Sequence, residues 1–96
     1  MRPSEALALH RDEVLAILSR YPVRNPRVFG SVARGEDTED SDLDILVERS
    51  ERLTYIDLAR LEIDLEKLLG VDVGVHTAAE FRPAVARLIE GEFRAL

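Results

Sequence analysis

Two aspartates separated by one residue are the feature of this chain with the clearest chemical potential. Asp42 and Asp44 open a segment, 42–48, that alternates at first and then becomes almost wholly apolar, which predicts a largely buried strand. Side chains alternate across a strand, so both carboxylates face the same way, within roughly 7 Å of each other. Such a pair is favourable when a cation bridges it, and its hard oxygens suit Mg²⁺. An isolated Asp-x-Asp is also typical of a solvated strand end.

A Gly-Ser pair lies upstream of the two aspartates. Gly30 and Ser31 directly follow a predicted strand, 27–29, and precede a possible helical turn, 31–34. A glycine lets the backbone come close to a ligand, and the amides of the following turn and the serine hydroxyl add donors that suit phosphate oxygens. By itself, Gly-Ser is a weak signal and more often marks a plain turn.

A third carboxylate interrupts a run of valines. Asp72 lies in segment 71–75, which predicts a third strand whose valines share one face. The face that carries Asp72 is, on its own, typical of an exposed edge strand. If this strand lies beside the strand of Asp42 and Asp44, three carboxylates line one site, which is the arrangement that holds two metal ions during phosphoryl transfer.

Periodicity and helix breakers predict the elements that position these residues in the first half of the chain. The spacing predicts a single helix over 4–20, capped by Ser4 and ended before Pro22. The short strand 27–29 then follows Pro26.

The second half contains two further predicted helices. Thr54 and Asp57 resemble a capping box, and Gly70 ends the helix that they open. Pro83 suits the first position of a last helix, which ends near Gly91. In the helix that Thr54 opens, the expected inner face consists of Leu58, Leu61, Leu65 and Leu68. Around the last helix it consists of Phe81, Val85, Leu88 and Ile89.

Length and composition predict one compact domain over residues 1–96, a small α/β layer structure with helices packed on a short sheet. The chain has no cysteine, so any metal ion must be held by oxygen or by histidine. His10 and His76 are far apart in sequence and belong to no spaced ligand set, which favours satisfied or solvent-facing rings over zinc ligands. The position of His76 after the third strand still allows it to border a site.

The charge balance restricts the possible partners. A formal net charge of −6 argues against a surface built to grip duplex nucleic acid and is compatible with a basic protein partner. No stretch approaches the roughly 20 apolar residues of a membrane span, so we expect a cytoplasmic protein with no membrane association.

Taken together, these motifs resemble the signature of the polymerase-β-type nucleotidyltransferase superfamily. Residues 28–36, VFGSVARGE, and residues 41–47, SDLDILV, closely resemble its minimal branch, and a later strand aspartate, Asp72, completes the pattern. Members of that branch are often antitoxins paired with a toxin of the HEPN ribonuclease family. The resemblance covers almost the whole chain and implies a nucleotidyltransferase-like fold with a small mixed sheet.

The resemblance also implies roles for individual residues. Gly30 and Ser31 would hold the terminal phosphates of ATP, the nucleotide substrate. Asp42 and Asp44 would ligate Mg²⁺, with two ions expected, and Asp72 would complete the metal site and help to deprotonate the acceptor hydroxyl.

For two residues near these motifs, the sequence is compatible with more than one role. Arg34 resembles a recurrent arginine of the branch, and contact with phosphate competes equally with an ion pair to the aspartate pair or to the acidic loop 36–40. Gly74 is a small departure from an apolar strand position; it either widens the pocket or marks a bulge.

Three functions are compatible with this pattern. The first is an antitoxin enzyme that transfers AMP from ATP to a tyrosine of a cognate HEPN toxin. The second is an antitoxin that neutralises its partner by binding alone, in a homo- or hetero-oligomer, with a vestigial nucleotide pocket. The third is a nucleotidyltransferase acting on a small molecule such as an aminoglycoside, for which a homodimer would have to supply the acceptor site.

Overall fold

The computed structural model describes all 96 residues. The chain forms four strands and five helices, with one 3₁₀ turn. In chain order they are α1 (Pro3–Leu9), α2 (Arg11–Leu18), β1 (Val23–Phe29), α3 (Ser31–Arg34), β2 (Leu43–Arg49), α4 (Tyr55–Leu69), β3 (Val73–Thr77), the 3₁₀ turn (Ala78–Glu80), α5 (Pro83–Glu90) and β4 (Arg94–Ala95). None of these helices is both long and apolar enough to cross a membrane.

The strands form one mixed sheet in the order β3-β2-β1-β4. β2 and β3 are parallel, and α4 connects them as the crossover helix; β1 is antiparallel to both β2 and β4. The predicted α/β fold, a small mixed sheet with helices packed on it, is therefore confirmed.

One face of the sheet carries the main hydrophobic core. Leu43, Ile45 and Val47 alternate along β2 and are almost fully buried, together with Val73 and Val75 of β3. Helices α1, α2 and α4 cover this face, with core side chains Ala6, Leu7, Val14, Leu18, Leu61, Leu65 and Leu69. Each fully buried aliphatic side chain stabilises the fold by about 1.5–3 kcal/mol. Because the alternation fixes β2 on this core, Asp44 must lie on the opposite face of the sheet.

The long helix α4 has the predicted ends. The Thr54 hydroxyl accepts a hydrogen bond from the Asp57 backbone N–H at 3.1 Å, and the Asp57 carboxylate accepts one from the Thr54 N–H at 3.0 Å. Gly70 adopts a left-handed φ of 70° at the other end. Local sequence thus determines where the crossover between β2 and β3 begins and ends.

The prediction of one helix over 4–20 was wrong, because the chain bends at His10 and forms α1 and α2. His10 has φ −115° and ψ 23°, outside the helical region, and its ring bonds Glu13 at the start of α2. Ser4 is not the cap: the first helix begins one residue earlier, and the Ser4 backbone N–H donates to the buried Asp37 carboxylate at 2.9 Å. The bend allows the apolar faces of both short helices to reach the same core.

The first strand is longer than predicted. β1 begins at Val23 rather than at residue 27, and the chain passes through Pro26 without leaving the sheet. The pairing with β2 shifts between Arg24 and Arg27, and Asn25 has φ 49°. Such a bulge tolerates a proline that cannot donate to the ladder.

The third strand is displaced from its predicted position. β3 runs over Val73–Thr77, so Asp72 lies immediately before the strand rather than inside it. Val73 and Val75 do share the core face, as expected.

The last helix begins at Pro83 and ends before Gly91, as predicted, but two residues of its predicted inner face were wrong. Val85 and Leu88 are 40% and 76% exposed. The predicted Phe81 and Ile89 do face inward, together with Ala86 and Phe93, on the side of the sheet opposite the main core. The two-residue strand β4, which follows this helix and pairs with β1, was not anticipated.

Candidate active site

The candidate site lies where β1 ends and β2 and β3 begin, on the sheet face opposite the main core. Gly30 follows β1 and has φ 76°, a conformation that residues with side chains rarely adopt. A Cβ at this position would lie 2.8 Å from Asp44 Oδ2. The glycine therefore serves a close approach between the Gly-Ser turn and the second aspartate. Ser31 is the first residue of α3.

Strand pairing brings the predicted carboxylates to this same end of the sheet. Asp44 is opposite Phe29 on β1 and Gly74 on β3. Asp42 and Asp72 are both exposed residues immediately before their strands, and the Asp72 carbonyl accepts a hydrogen bond from the Leu43 N–H at 2.9 Å. The two segments that carry Asp42 and Asp72 are thus neighbours.

No three histidine, aspartate or glutamate side chains in the structure are close enough to hold a metal ion together. Asp72 borders a separate acidic depression beside Glu39, Asp40 and Glu66. The three-carboxylate metal site therefore stays a prediction, although its donors are the hard oxygens that Mg²⁺ prefers and lie on adjoining segments.

His76 is part of the site, whereas its position in the sequence indicated only that it could border one. Its Nε2 lies 3.6 Å from Asp44 Oδ1, and its Nδ1 lies 2.9 Å from Glu80 Oε2. The Asp44 carboxylate, opposed by partial burial and helped by Glu80, raises the pKa of His76 to about 9. A protonated ring thus neutralises Asp44 at neutral pH.

Gly74 makes room for that imidazole. A Cβ at Gly74 would lie 2.7 Å from His76 Nε2 and 3.4 Å from Asp44 Oδ1. The pairing of β2 with β3 continues through Gly74 without a shift, so this glycine does not mark a bulge. Its missing side chain is what allows His76 to reach Asp44.

Arg34 forms ion pairs in the structure, but not with the aspartate pair. Its Nε lies 3.0 Å from Glu36 Oε2, in the acidic loop, and its Nη1 lies 2.9 Å from Glu92 Oε1. These carboxylates, Glu36 first, raise the pKa of Arg34 further, so the guanidinium stays charged. Of the ion pairs predicted for Arg34, the one with the acidic loop is present, and contact with phosphate stays a prediction.

Glu92 was missed by the sequence analysis. Besides its contact with Arg34, its Oε2 accepts a hydrogen bond from the Gly30 backbone N–H at 3.2 Å. Glu92 is 62 residues away from Gly30 in the chain and belongs to no motif. Only the return of the chain through α5 and β4 brings it to the site.

An aromatic cluster holds this returning segment against the sheet. Phe29 makes edge-to-face contacts with His76, Phe81 and Phe93, with ring centroids 5.6–6.2 Å apart. The Arg27 guanidinium lies 4.8 Å from the centroid of the Phe93 ring. The cluster places Phe93, and therefore its neighbour Glu92, beside the end of β1.

Comparison with known proteins identifies the family of this chain. The family model described as a nucleotidyltransferase domain matches residues 11–96. A protein of Thermococcus cleftensis named protein adenylyltransferase MntA is 37% identical over 83 residues, covering 86% of this chain and 81% of that protein. A protein of Methanocaldococcus jannaschii that carries the provisional name of protein adenylyltransferase is 40% identical over 82 residues, covering 85% of this chain and 88% of that protein.

Solved structures share the fold. One described provisionally as a minimal nucleotidyltransferase has a TM-score of 0.85 and 43% identity, covering 97% of this chain and 95% of that one. A toxin–antitoxin structure with AMP-PNP has a TM-score of 0.75 at 20% identity, covering 88% of this chain and 69% of that one. At that identity the likeness concerns the fold alone.

Proposed function

Because this chain belongs to the nucleotidyltransferase family, we propose that it transfers AMP from ATP to a hydroxyl of a partner protein, namely a tyrosine of a HEPN-type toxin. The observation that carries the proposal is the close approach of Gly30 to Asp44, which brings the turn proposed to bind phosphate beside a carboxylate proposed to bind metal. Relatives named protein adenylyltransferases, 37–40% identical over most of the chain, support the class of acceptor.

The nucleotide would bind with its terminal phosphates on Gly30, Ser31 and Arg34. Backbone N–H groups and a guanidinium are strong, charge-matched donors for phosphate oxygens. Asp42, Asp44 and Asp72 would hold Mg²⁺, which when bound neutralises charge on the triphosphate.

The reaction exchanges one P–O bond for another. The acceptor oxygen attacks the α-phosphorus, the bond from that phosphorus to the bridging oxygen of the β-phosphate breaks, and pyrophosphate leaves. Asp72 would accept the proton of the acceptor hydroxyl. The residues of this chain contribute chiefly by positioning and by charge neutralisation.

The charge of the molecule supports a protein partner. A net charge of −6 complements the basic surfaces that bind RNA, such as that of a ribonuclease toxin. Structures of MntA–HepT toxin–antitoxin assemblies share this fold.

Transfer of label from α-labelled ATP tests the proposal. The purified chain is mixed with Mg²⁺ and the product of the adjacent gene as acceptor, and the wild type is compared with an Asp42→Asn/Asp44→Asn double variant. We expect labelled partner with the wild type and at least about a hundredfold less with the variant, as when main electrostatic groups are removed. Asp12→Asn, an exposed aspartate of α2, is the matched control and should transfer normally. Tight complex formation without label from any nucleotide would refute the enzyme.

Neutralisation by binding alone is the second candidate, and one observation favours it. The groups proposed for phosphate and metal are paired within the chain, Arg34 and Gly30 with Glu92 and Asp44 with His76. If the double variant still neutralises the partner in cells as well as wild type does, binding alone is sufficient. Loss of neutralisation while the complex persists would exclude that alternative.

A further inference from the structure

The carboxylate of Glu92 bonds the same two groups that the nucleotide phosphates would use. Its two oxygens accept from the Gly30 backbone N–H at 3.2 Å and from Arg34 Nη1 at 2.9 Å. A carboxylate resembles one face of a phosphate: it is an anion that presents two acceptor oxygens side by side. The Glu92 carboxylate therefore accepts the two hydrogen bonds that a phosphate group at this position would accept.

We propose that Glu92 occupies the phosphate subsite and that the segment 92–96 is an internal competitor that must leave before a triphosphate binds. The inference rests on the proposed function, because it takes Gly30 and Arg34 as phosphate ligands. A bound triphosphate and the Glu92 carboxylate cannot both accept from the single Gly30 N–H, and two anions held beside the same Arg34 guanidinium would repel each other.

Few backbone hydrogen bonds hold the segment. β4 consists of two residues that pair with Arg27 and Val28 at the edge of the sheet, and the Leu96 N–H adds one bond to the Pro26 carbonyl. Its side chains attach it through Phe93, which packs against Phe29 and Arg27, and through Leu96, which packs partly buried against the main core. Short edge elements with few backbone bonds open at a lower free-energy cost than the core strands do.

Competition of this kind lowers the apparent affinity for nucleotide by the fraction of molecules in which the subsite is open. If the segment is closed in nine molecules of ten, binding is about tenfold weaker than to the open form. A partner that draws the segment away would raise nucleotide affinity by the same factor.

Glu92→Gln tests the proposal with little change of shape, and Glu36→Gln is the matched control. Glu36 also pairs with Arg34 but does not touch Gly30. Binding of Mg²⁺-ATP, inorganic tripolyphosphate and adenosine is measured by calorimetry, after thermal melts confirm that both variants fold. We expect Glu92→Gln to bind ATP and tripolyphosphate about three- to tenfold more tightly than wild type, with adenosine unchanged. Glu36→Gln should show no such gain.

Each other outcome is decisive. Equal affinity in wild type and Glu92→Gln would overturn the competitor while leaving the nucleotide site intact. Weaker binding in Glu92→Gln would show instead that Glu92 positions Arg34 for the phosphate. Binding of ATP by neither protein would refute the phosphate subsite itself, and with it the proposed function.

Discussion

Two glycines shape the candidate site because each faces a charged side chain. Gly30 leaves space for the Asp44 carboxylate, and Gly74 leaves space for the His76 ring. The two contacts meet at Asp44, which therefore has a backbone surface without a side chain on one side and the His76 ring on the other. A substitution at either glycine acts on Asp44 through sterics rather than through its charge.

Gly30→Ala should abolish AMP transfer, either through backbone strain or through the clash of its Cβ with Asp44. Gly35→Ala separates these two causes, because it introduces backbone strain without a clash. Both glycines have a positive φ, 76° and 72°, but a Cβ at Gly35 has no neighbour within 4 Å. We expect Gly35→Ala to lose about 1–2 kcal/mol in the free energy of unfolding from its left-handed backbone, and Gly30→Ala to lose more, because its φ of 76° and ψ of −154° are restricted to glycine. Urea denaturation and the transfer assay measure both effects. Normal activity in Gly30→Ala would contradict the assignment of this turn.

The ion pair of His76 with Asp44 predicts a pH dependence in the metal-free protein. Because the pKa is raised from 6.5 to about 9, the stability contributed by His76 is fully present below about pH 6.5 and is lost as the pH rises through 9. NMR titration of the ring should show the raised pKa, and Asp44→Asn should lower it toward the ordinary value. Glu13→Gln, which alters the pair of His10 instead, should leave it unchanged. An unshifted His76 in the wild type would disprove the pair.

Among the secondary-structure elements, the ends of α4 and the alternating pattern of β2 were predictable from the sequence, whereas the bend between α1 and α2 was not. The capping box at Thr54 and the alternation along β2 are local signals, and both were read correctly. The break at His10 left no trace, because Leu7, Val14 and Leu18 keep helical spacing across it. A carboxylate far along the chain decides where the first helix begins, and no window around Ser4 contains it.

That carboxylate, Asp37, should be a main support of α1. It is 5% exposed and accepts from the Ser4 backbone N–H, which links the loop before β2 to the first turn of the helix. Burial raises the pKa of Asp37, but the hydrogen bonds from Ser4 outweigh it and the net shift is downward. Asp37→Asn should therefore cost about 1–2 kcal/mol at pH 7 by urea denaturation, whereas exposed Asp40→Asn should cost almost nothing.

The lowered pKa of Asp37 also determines how the stability of the protein changes at acid pH. A group with a lowered folded pKa contributes stability that is present above its ordinary value, 3.8, and lost as the pH falls through the folded value. The difference in stability between wild type and Asp37→Asn should shrink as the pH falls below 3.8. A difference that stays constant down to pH 2 would show that charge is not the cause.

At the scale of the whole molecule, the site combines residues of very different sequence separation. The turn at Gly30 and the pair at Asp42 and Asp44 are predictable because they are close in sequence and belong to adjacent elements. His76 and Glu92 reach the site only through the crossover helix and the final return of the chain, so their roles depend on tertiary structure.

The distributed site predicts that nucleotide binding stabilises the entire fold. Gly30, Arg34 and the three aspartates come from the turn after β1, from α3 and from the segments that begin β2 and β3. A ligand held by all of them therefore binds the native state and not the unfolded chain. At ten times its Kd, Mg²⁺-ATP should stabilise the protein by about 1.4 kcal/mol. For a chain of 96 residues, that corresponds to a rise in Tm of about 5–10 °C in a thermal melt.

The carboxylate variants test whether this rise in Tm comes from nucleotide bound at the candidate site. Asp42→Asn/Asp44→Asn should remove it, because the triphosphate then lacks its metal ions, while Asp12→Asn should retain it. Glu92→Gln should enlarge it at equal ATP concentration, since the competing carboxylate is gone. If ATP raised the Tm equally in all four proteins, the nucleotide would bind elsewhere, and the end of the sheet at Gly30 and Asp44 would not be its site.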